Sequence, residues 1–505
     1  MPIDAILHGF AVAAQPTNLL FLFLGTLLGT VIGVLPGIGP STGIALLIPL
    51  GFGMSPTPAL IMMAGVYYGA MYGGSTTSIL LNAPGEAASV MTTLDGYQMA
   101  LKGRPGAALA ISAIGSFIAG TLGIVALTLV AVPVASFALR FGPAEFCALI
   151  LFALVAVAGL SGGNVPKALV SLVLGLAIST VGIELQSGVS RFTFGIAELD
   201  DGIDFLVVVI GLFAVAESLY GLEELAQGTR EHVKLKGPVW LTLEEWRRSV
   251  WPIARGSVIG FVAGVLPGAG TTVASVIAYA TEKRLARRPE EFGQGAIEGV
   301  AAPESANNSG AMGAMVPLLT LGIPGSNATA IMLGALIMYG LQPGPLLFQK
   351  QPDLVWGVIA SMYLGNVILL LLNLPLVKLF VKIVDVPPRV LLPLVIALSF
   401  IGVYSINSST VDLGLLAIFG VVGYLFRKVD IPAAPLVMAV VLGNLFEVSM
   451  RQALAISGGD YGVFVASRIA LVLYAGTAAV LVVPLVAGGL RRRRAGLGDP
   501  GRSSR

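Results

Sequence analysis

The sequence predicts an all-α polytopic membrane protein made of two inverted-topology repeats, about five spans each, with broken or re-entrant helices and one extra C-terminal span. Three observations carry this reading. Hydrophobic residues make up 56% of the 505 positions and charged residues 11%. The apolar runs, such as Leu206 to Ala216 and Leu471 to Val486, are continuous and do not alternate like barrel strands. The stretch Gly25 to Gly39, GTLLGTVIGVLPGIG, returns at Gly256 to Gly270 as GSVIGFVAGVLPGAG, which is the mark of a duplication.

In chain order, residues 1–17 form a weakly amphipathic segment suited to the membrane surface, and no basic region of a cleavable signal precedes it. Residues 18–220 form the first repeat. In both copies glycines recur at every fourth position and line one helical face, where another backbone can approach. Each face then runs into Leu-Pro-Gly. Pro36 and Pro267 lack an amide hydrogen and disfavour helix before them, while Gly37, Gly39, Gly268 and Gly270 admit shapes that other residues resist. The helix is expected to break there, as a re-entrant hairpin or a pair of short helices, with a single kinked span as the alternative.

A second motif follows each break. YYGAMYGGSTTSILLNAPGE from Tyr67 corresponds to the stretch leading to Pro324-Gly325, and aligning Pro84-Gly85 with Pro324-Gly325 also brings Gly73 onto Gly313 and Pro105 onto Pro345. A polar linker, 221–255, divides the halves. The second repeat spans 256–450, a final loop and span 451–490, and a basic cytoplasmic tail 491–505.

Loop charges test orientation, because Lys and Arg collect on the cytoplasmic side. With Arg491 to Arg494 inside, the loops at Arg427-Lys428, Lys378 to Arg389 and Lys283 to Arg288 also fall inside. The matching loops of the first half swap character: Gly51 to Pro58 is uncharged, and Lys102-Gly103-Arg104 answers Gln342-Pro343-Gly344. The repeats therefore run in opposite senses. Arg140, Arg191, Arg451 and Arg468 depart from this pattern.

A broken helix in a bilayer exposes backbone groups that cost several kcal/mol each unless protein, water or solute satisfies them. Paired breaks thus point to a solute site. Polar atoms gather around them: Ser41, Thr42, Ser75, Thr76, Thr77, Asn82, Pro84 and Gly85 in one half, and Thr271, Thr272, Asn307, Asn308, Pro324, Gly325, Ser326 and Asn327 in the other. Helices starting after Gly85 and Gly325 would aim free amides at an anion, and hydroxyl and amide oxygens suit a cation. The competing reading is that these groups only bond neighbouring helices, at roughly 0.6 kcal/mol each. Candidates for ion or proton coupling are Glu86, Asp95, Glu145, Glu217, Glu298, Glu304 and Glu447, with Glu86 favoured because it follows Pro84-Gly85. These motifs lack a basic residue, Arg and Lys occurring mainly in loops, so substrate charge is expected to meet helix ends, amides and co-transported cations.

Other chemistry finds little support. Cys147 is the only cysteine, and His8 and His232 lie far from the motifs, so a cysteine-based zinc site or histidine catalysis is not expected. Neither GxSxG nor GxxxxGK[ST] occurs. The chain is read as a non-enzyme, and a passive anion channel is the alternative to a carrier.

GVLPGIGPSTGIALLIPL, YYGAMYGGSTTSILLNAPGE, GVLPGAGTT, PESANNSGAMGAMVPLLTLGIPGS and GNLFEVSMRQALAISGGD resemble the large membrane subunit of the tripartite tricarboxylate transporters, TctA type. The resemblance implies a bacterial inner-membrane permease with a cytoplasmic C-terminus. Its implied partners are a small four-helix membrane subunit and a periplasmic solute-binding protein that delivers an organic di- or tricarboxylate. It further implies uptake driven by a sodium or proton gradient, no cofactor, and an elevator-like movement of one bundle against a scaffold.

Overall fold

The computed structural model describes residues 3–35, 39–51, 53–160, 164–184, 188–225, 239–268, 270–381 and 388–496. Among the described residues, seven helices are long and apolar enough to cross a membrane. The helical fold is relieved by one small antiparallel ribbon, Gly182–Ile183 paired with Ser190–Arg191. The basic tail beyond Gly496 lies outside the described residues, as do 226–238 of the polar linker.

Each Leu-Pro-Gly stretch separates two distinct helices, as the proline and glycines demand. The first glycine helix is Pro16–Gly33 and its return arm Pro40–Gly51. The second is Leu243–Val265 with return arm Gly270–Leu285. Both pairs are hairpins. Gly43, early in the first return arm, lies against Ile32 at the end of its glycine helix. In the second hairpin Arg255 pairs with Glu282, twelve residues into the return arm (270 to 282). These antiparallel contacts exclude the single kinked span. The second glycine helix starts at Leu243, inside the expected linker, because Thr242 and Glu245 form a capping box.

The hairpins seat on two long helices, Pro56–Leu81 and Glu298–Leu321. Neither belongs to the seven apolar spans. They are buried almost throughout by protein and need no lipid-compatible surface. The seating is backbone to backbone. A Cβ on Gly25, Gly29 or Gly33 would overlap the carbonyls of Met62, Val66 and Ala70, and one on Gly256, Gly260 or Gly264 those of Ala302, Ala306 and Gly310. The second clasp repeats the first in register. Small residues on one face are what permit such an approach.

The long helices end alike. Asn82 (φ 55°) and Gly322 (φ 68°) both adopt the left-handed conformation, with amides donating to Thr77 and Pro317 carbonyls respectively. Asn82 is exposed, and its place in the repeat is that of a C-capping glycine.

At the N-terminus, helix Ile3–Ala13 packs on Pro352–Asn373 of the second half, where Gly9 lies against the Trp356 backbone and His8 bonds Asp353 at 2.8 Å. The segment expected at the membrane surface thus also contacts the second half.

Two outcomes follow from this packing. Gly260→Val keeps the second hairpin from seating and yields little monodisperse protein on size-exclusion chromatography, whereas Gly53→Ala, with nothing within 4 Å, behaves as the parent. Asn82→Gly retains the parent's thermal stability in detergent, while Asn82→Val loses about 1–2 kcal/mol for a side chain that resists the left-handed region.

Candidate functional site

Beyond each left-handed cap the chain turns back across its own long helix. Gly85 packs on the Gly33 carbonyl and Gly74, and Gly325 on the Gly264 carbonyl and Ala314. The clasp glycines thus also hold the Pro-Gly turns. Past Gly325 a regular helix, Asn327–Met338, starts with a capping box in which the Ser326 hydroxyl accepts from the Thr329 amide at 3.3 Å and the Thr329 hydroxyl accepts from the Ser326 amide at 2.8 Å. Past Gly85 the same box, Glu86 with Ser89, opens only a 3-10 turn, Ala87–Ser89, which leads through Val90–Thr92 into a π-helical stretch, Thr93–Tyr97. The two expected helix starts are therefore unequal.

The halves touch reciprocally. Tyr67 in the first long helix bonds Ser326 of the second Pro-Gly turn at 2.9 Å. Asn307, which stands at the position of Tyr67 in the second long helix, donates to Glu86 of the first turn at 2.7 Å. Residue i meeting j′ while i′ meets j is the signature of a two-fold relation.

Around these contacts lies a cavity of about 660 Å³. Gly39, Ser41, Thr42, Pro84, Gly85 and Glu86 line it from one half, and Gly268, Gly270, Thr271, Thr272, Pro324, Gly325, Ser326 and Asn327 from the other. Thr42 also donates to the Phe213 carbonyl at 3.2 Å, within the π-helical stretch Ile210–Val215. Pro36 and Gly37 lie outside the described residues.

Other sequence candidates are placed elsewhere. Asn82 caps a helix. Pro267 is buried at the tip of the second hairpin. Thr76 and Thr77 are buried in the first long helix, where Thr77 donates to the Gly74 carbonyl. Ser75, Asn307 and Asn308 lie behind the cavity wall, bonded to side chains of other elements.

Several cavity residues escaped sequence reasoning. Tyr67 could have been found by asking which residue occupies the position of Asn307 in the other repeat. Arg427 closes helix Thr410–Lys428 and reads in the sequence as a loop cation, yet it lines the cavity, pairs with Glu217 and stacks 4.0 Å from the centre of the Tyr220 ring. A basic side chain therefore borders the cavity although the motifs themselves carry none.

The candidate carboxylates divide sharply. Glu217 pairs with Arg427, Glu298 with Arg248, and Glu447 with Arg191 and Arg451, while Glu145 accepts from the Gly142 amide. Asp95 is fully buried and accepts from the amides of Gly293, Gly295 and Ala296 and from the Tyr279 hydroxyl, all at 2.7–2.9 Å. It ties the loop before the second long helix to the first half. In that loop, hydrogen bonding from Arg248 and Arg288 holds the Glu291 carboxyl below its ordinary range. This tie is complete above the ordinary carboxyl range and is lost as pH falls through the depressed value. Glu86 and Glu304 have no cationic partner among the described ion pairs. No group of three or more His, Cys, Asp and Glu side chains that could hold a metal is found among the described residues.

Residues 19–438 match the model of the "Tripartite tricarboxylate transporter TctA family". An uncharacterised 52.8 kDa protein of the TAR-I ttuC' 3' region of Agrobacterium vitis is 48% identical over 479 residues, 95% of both chains. An uncharacterised protein of the TAR-II ttuC' 3' region of the same organism is 46% identical over 235 residues, 46% of this chain and 97% of its own length. No solved structure matches. A transporter family lends no support to the passive-channel alternative or to enzymatic activity. With the match running across most of its length and through both repeats, the chain belongs to the tripartite tricarboxylate transporter TctA family, whose members are large membrane subunits.

Proposed function

We propose that this chain is the permease of a secondary transporter that imports organic di- or tricarboxylates across a bacterial inner membrane, driven by a sodium or proton gradient. A periplasmic solute-binding protein delivers the substrate, and a small four-helix membrane subunit completes the assembly. One observation carries the reading: both hairpin return arms and both Pro-Gly turns border a single cavity. Duplicated breaks that share one solvent-sized space are the arrangement of a carrier site.

A carboxylate in this cavity is met by complementary groups. The first turns of Pro40–Gly51, Gly270–Leu285 and Asn327–Met338 offer amides and partial positive charge. Ser41, Thr271 and Thr272 add hydroxyls and Asn327 an amide group. Arg427 supplies a full charge that a substrate carboxylate can share with or take from Glu217. Alternating access follows if the two halves are inverted in the membrane, as the loop charges suggest, and the bundle bearing the four breaks moves against the remaining helices. In this orientation the C-terminus is cytoplasmic.

Uptake into proteoliposomes holding this chain and its small partner, with the binding protein outside, tests the reading. Carboxylate accumulates under a sodium or pH gradient and ceases to accumulate when the gradient collapses; equilibration without accumulation overturns the carrier in favour of a channel. Asn327→Ala lowers uptake roughly tenfold, the loss expected for one polar contact of ~1.4 kcal/mol, while its elution profile stays that of the parent.

A further inference from the structure

Behind the cavity wall, Glu304 is a fully buried carboxylate with no cationic partner among the described ion pairs. It sits in the middle of the second long helix with no exposure to solvent. Ser75 of the first long helix donates to its Oε2 at 2.6 Å, and Thr92 donates to its Oε1. The hydroxyls of Ser112 and Ser116 of helix Pro105–Ala138 face it as well. Hydroxyls from three other elements therefore converge on one carboxylate. Hydroxyls lower the cost of burying a charge but do not neutralise it. The titratable groups that face it are Glu86 and Tyr72, neither of which is a cation.

A second observation stands beside the first. Three and four residues on, one helical turn along the same face, Asn307 and Asn308 are fully buried, and the amide oxygen of each has no hydrogen-bond donor among the described residues. Their orientations are set by their nitrogens. Asn307 Nδ2 donates to Glu86, and Asn308 Nδ2 donates to Ser116 at 2.7 Å and to the Glu304 carbonyl at 3.1 Å. Flipping either amide would set oxygen against acceptor oxygen. Buried orphan acceptors are rare and costly.

Taken together, the unneutralised carboxylate, the two orphan amide oxygens and the ring of hydroxyls form an all-oxygen donor set with a formal charge of one. We propose that Glu304, Asn307, Asn308, Ser75 and Thr92 bind a small hard monovalent cation, sodium, at a site adjoining the carboxylate cavity and reached from it past Glu86. A proton on Glu304 would remove the charge but leave both amide oxygens without a partner; sodium answers both needs. A divalent ion would ask for more carboxylates than the site provides. The inference deepens the transport reading and rests on it for its role as a coupling site, but binding itself can be measured without transport.

The test is thermal unfolding of the purified chain with its small membrane partner in detergent, with no carboxylate, as sodium chloride replaces choline chloride at constant ionic strength. Wild type shows a saturable, sodium-specific rise in melting temperature. Glu304→Gln abolishes it. Should Glu304→Gln fail to fold, Asn308→Ala carries the test, with an expected rise of roughly tenfold in the half-saturating sodium concentration. No sodium-specific rise in wild type, a rise that follows pH in place of sodium, or an undiminished response in either folded variant overturns the site. Sodium-driven uptake together with an undiminished response in Glu304→Gln would overturn this site and leave the transport reading standing. A response lost in Glu304→Gln in a protein that accumulates no carboxylate would sustain the site and overturn the transport reading.

Discussion

Everything in this fold depends on the close approach of two glycine-faced helices to two long helices. A broken helix in apolar surroundings leaves amides and carbonyls that must find partners within the protein. The clasps bring backbones near enough for the breaks to be enclosed, and the same glycine helices support the Pro-Gly turns. Gly33 and Gly264 are the points where these duties meet, since each touches both its long helix and the turn that follows it. A side chain at either position would displace the hairpin and the cavity together.

The duplication kept the backbone and let the chemistry diverge. Tyr67 answers Asn307, and Glu86 answers Ser326; the crossed contacts survive although none of these pairs is alike. The polar cluster behind the wall is more lopsided still. Glu304 and Asn308 occupy positions that in the first half belong to Ala64 and Tyr68, and Ser75 answers Met315. Two similar scaffolds thus enclose a site with one acidic, hydroxyl-rich flank, which is what a carrier needs if an anion and a cation are to be held side by side.

Charge placement follows the same economy. Several carboxylates are matched by arginines, as Glu217 is by Arg427 at a helix end and Glu447 by Arg191 of the ribbon, or by backbone amides, as Asp95 is. A buried charge so matched serves structure. Glu86 and Glu304 stand apart because no described cation reaches them, and both lie where the halves meet.

By itself the sequence determined the helical membrane class, the duplication, the positions of the breaks and the family, because composition, glycine periodicity and Leu-Pro-Gly act within one or two turns of chain. It also marked most of the polar side chains that line the cavity, since hydroxyls, amides and Pro-Gly pairs beside a break are local signals. Only the tertiary structure decided that each break is a hairpin, that Asn82 caps its helix in the left-handed conformation, that Asp95 is an anchor, and that Arg427 and Glu217 reach the cavity from more than 200 residues apart (217 to 427). Those facts depend on which helix faces meet. Sequence spacing describes a face but does not name its partner, and the partner decides whether a buried polar group is satisfied, as at Asp95, or left wanting an ion, as we infer at Glu304.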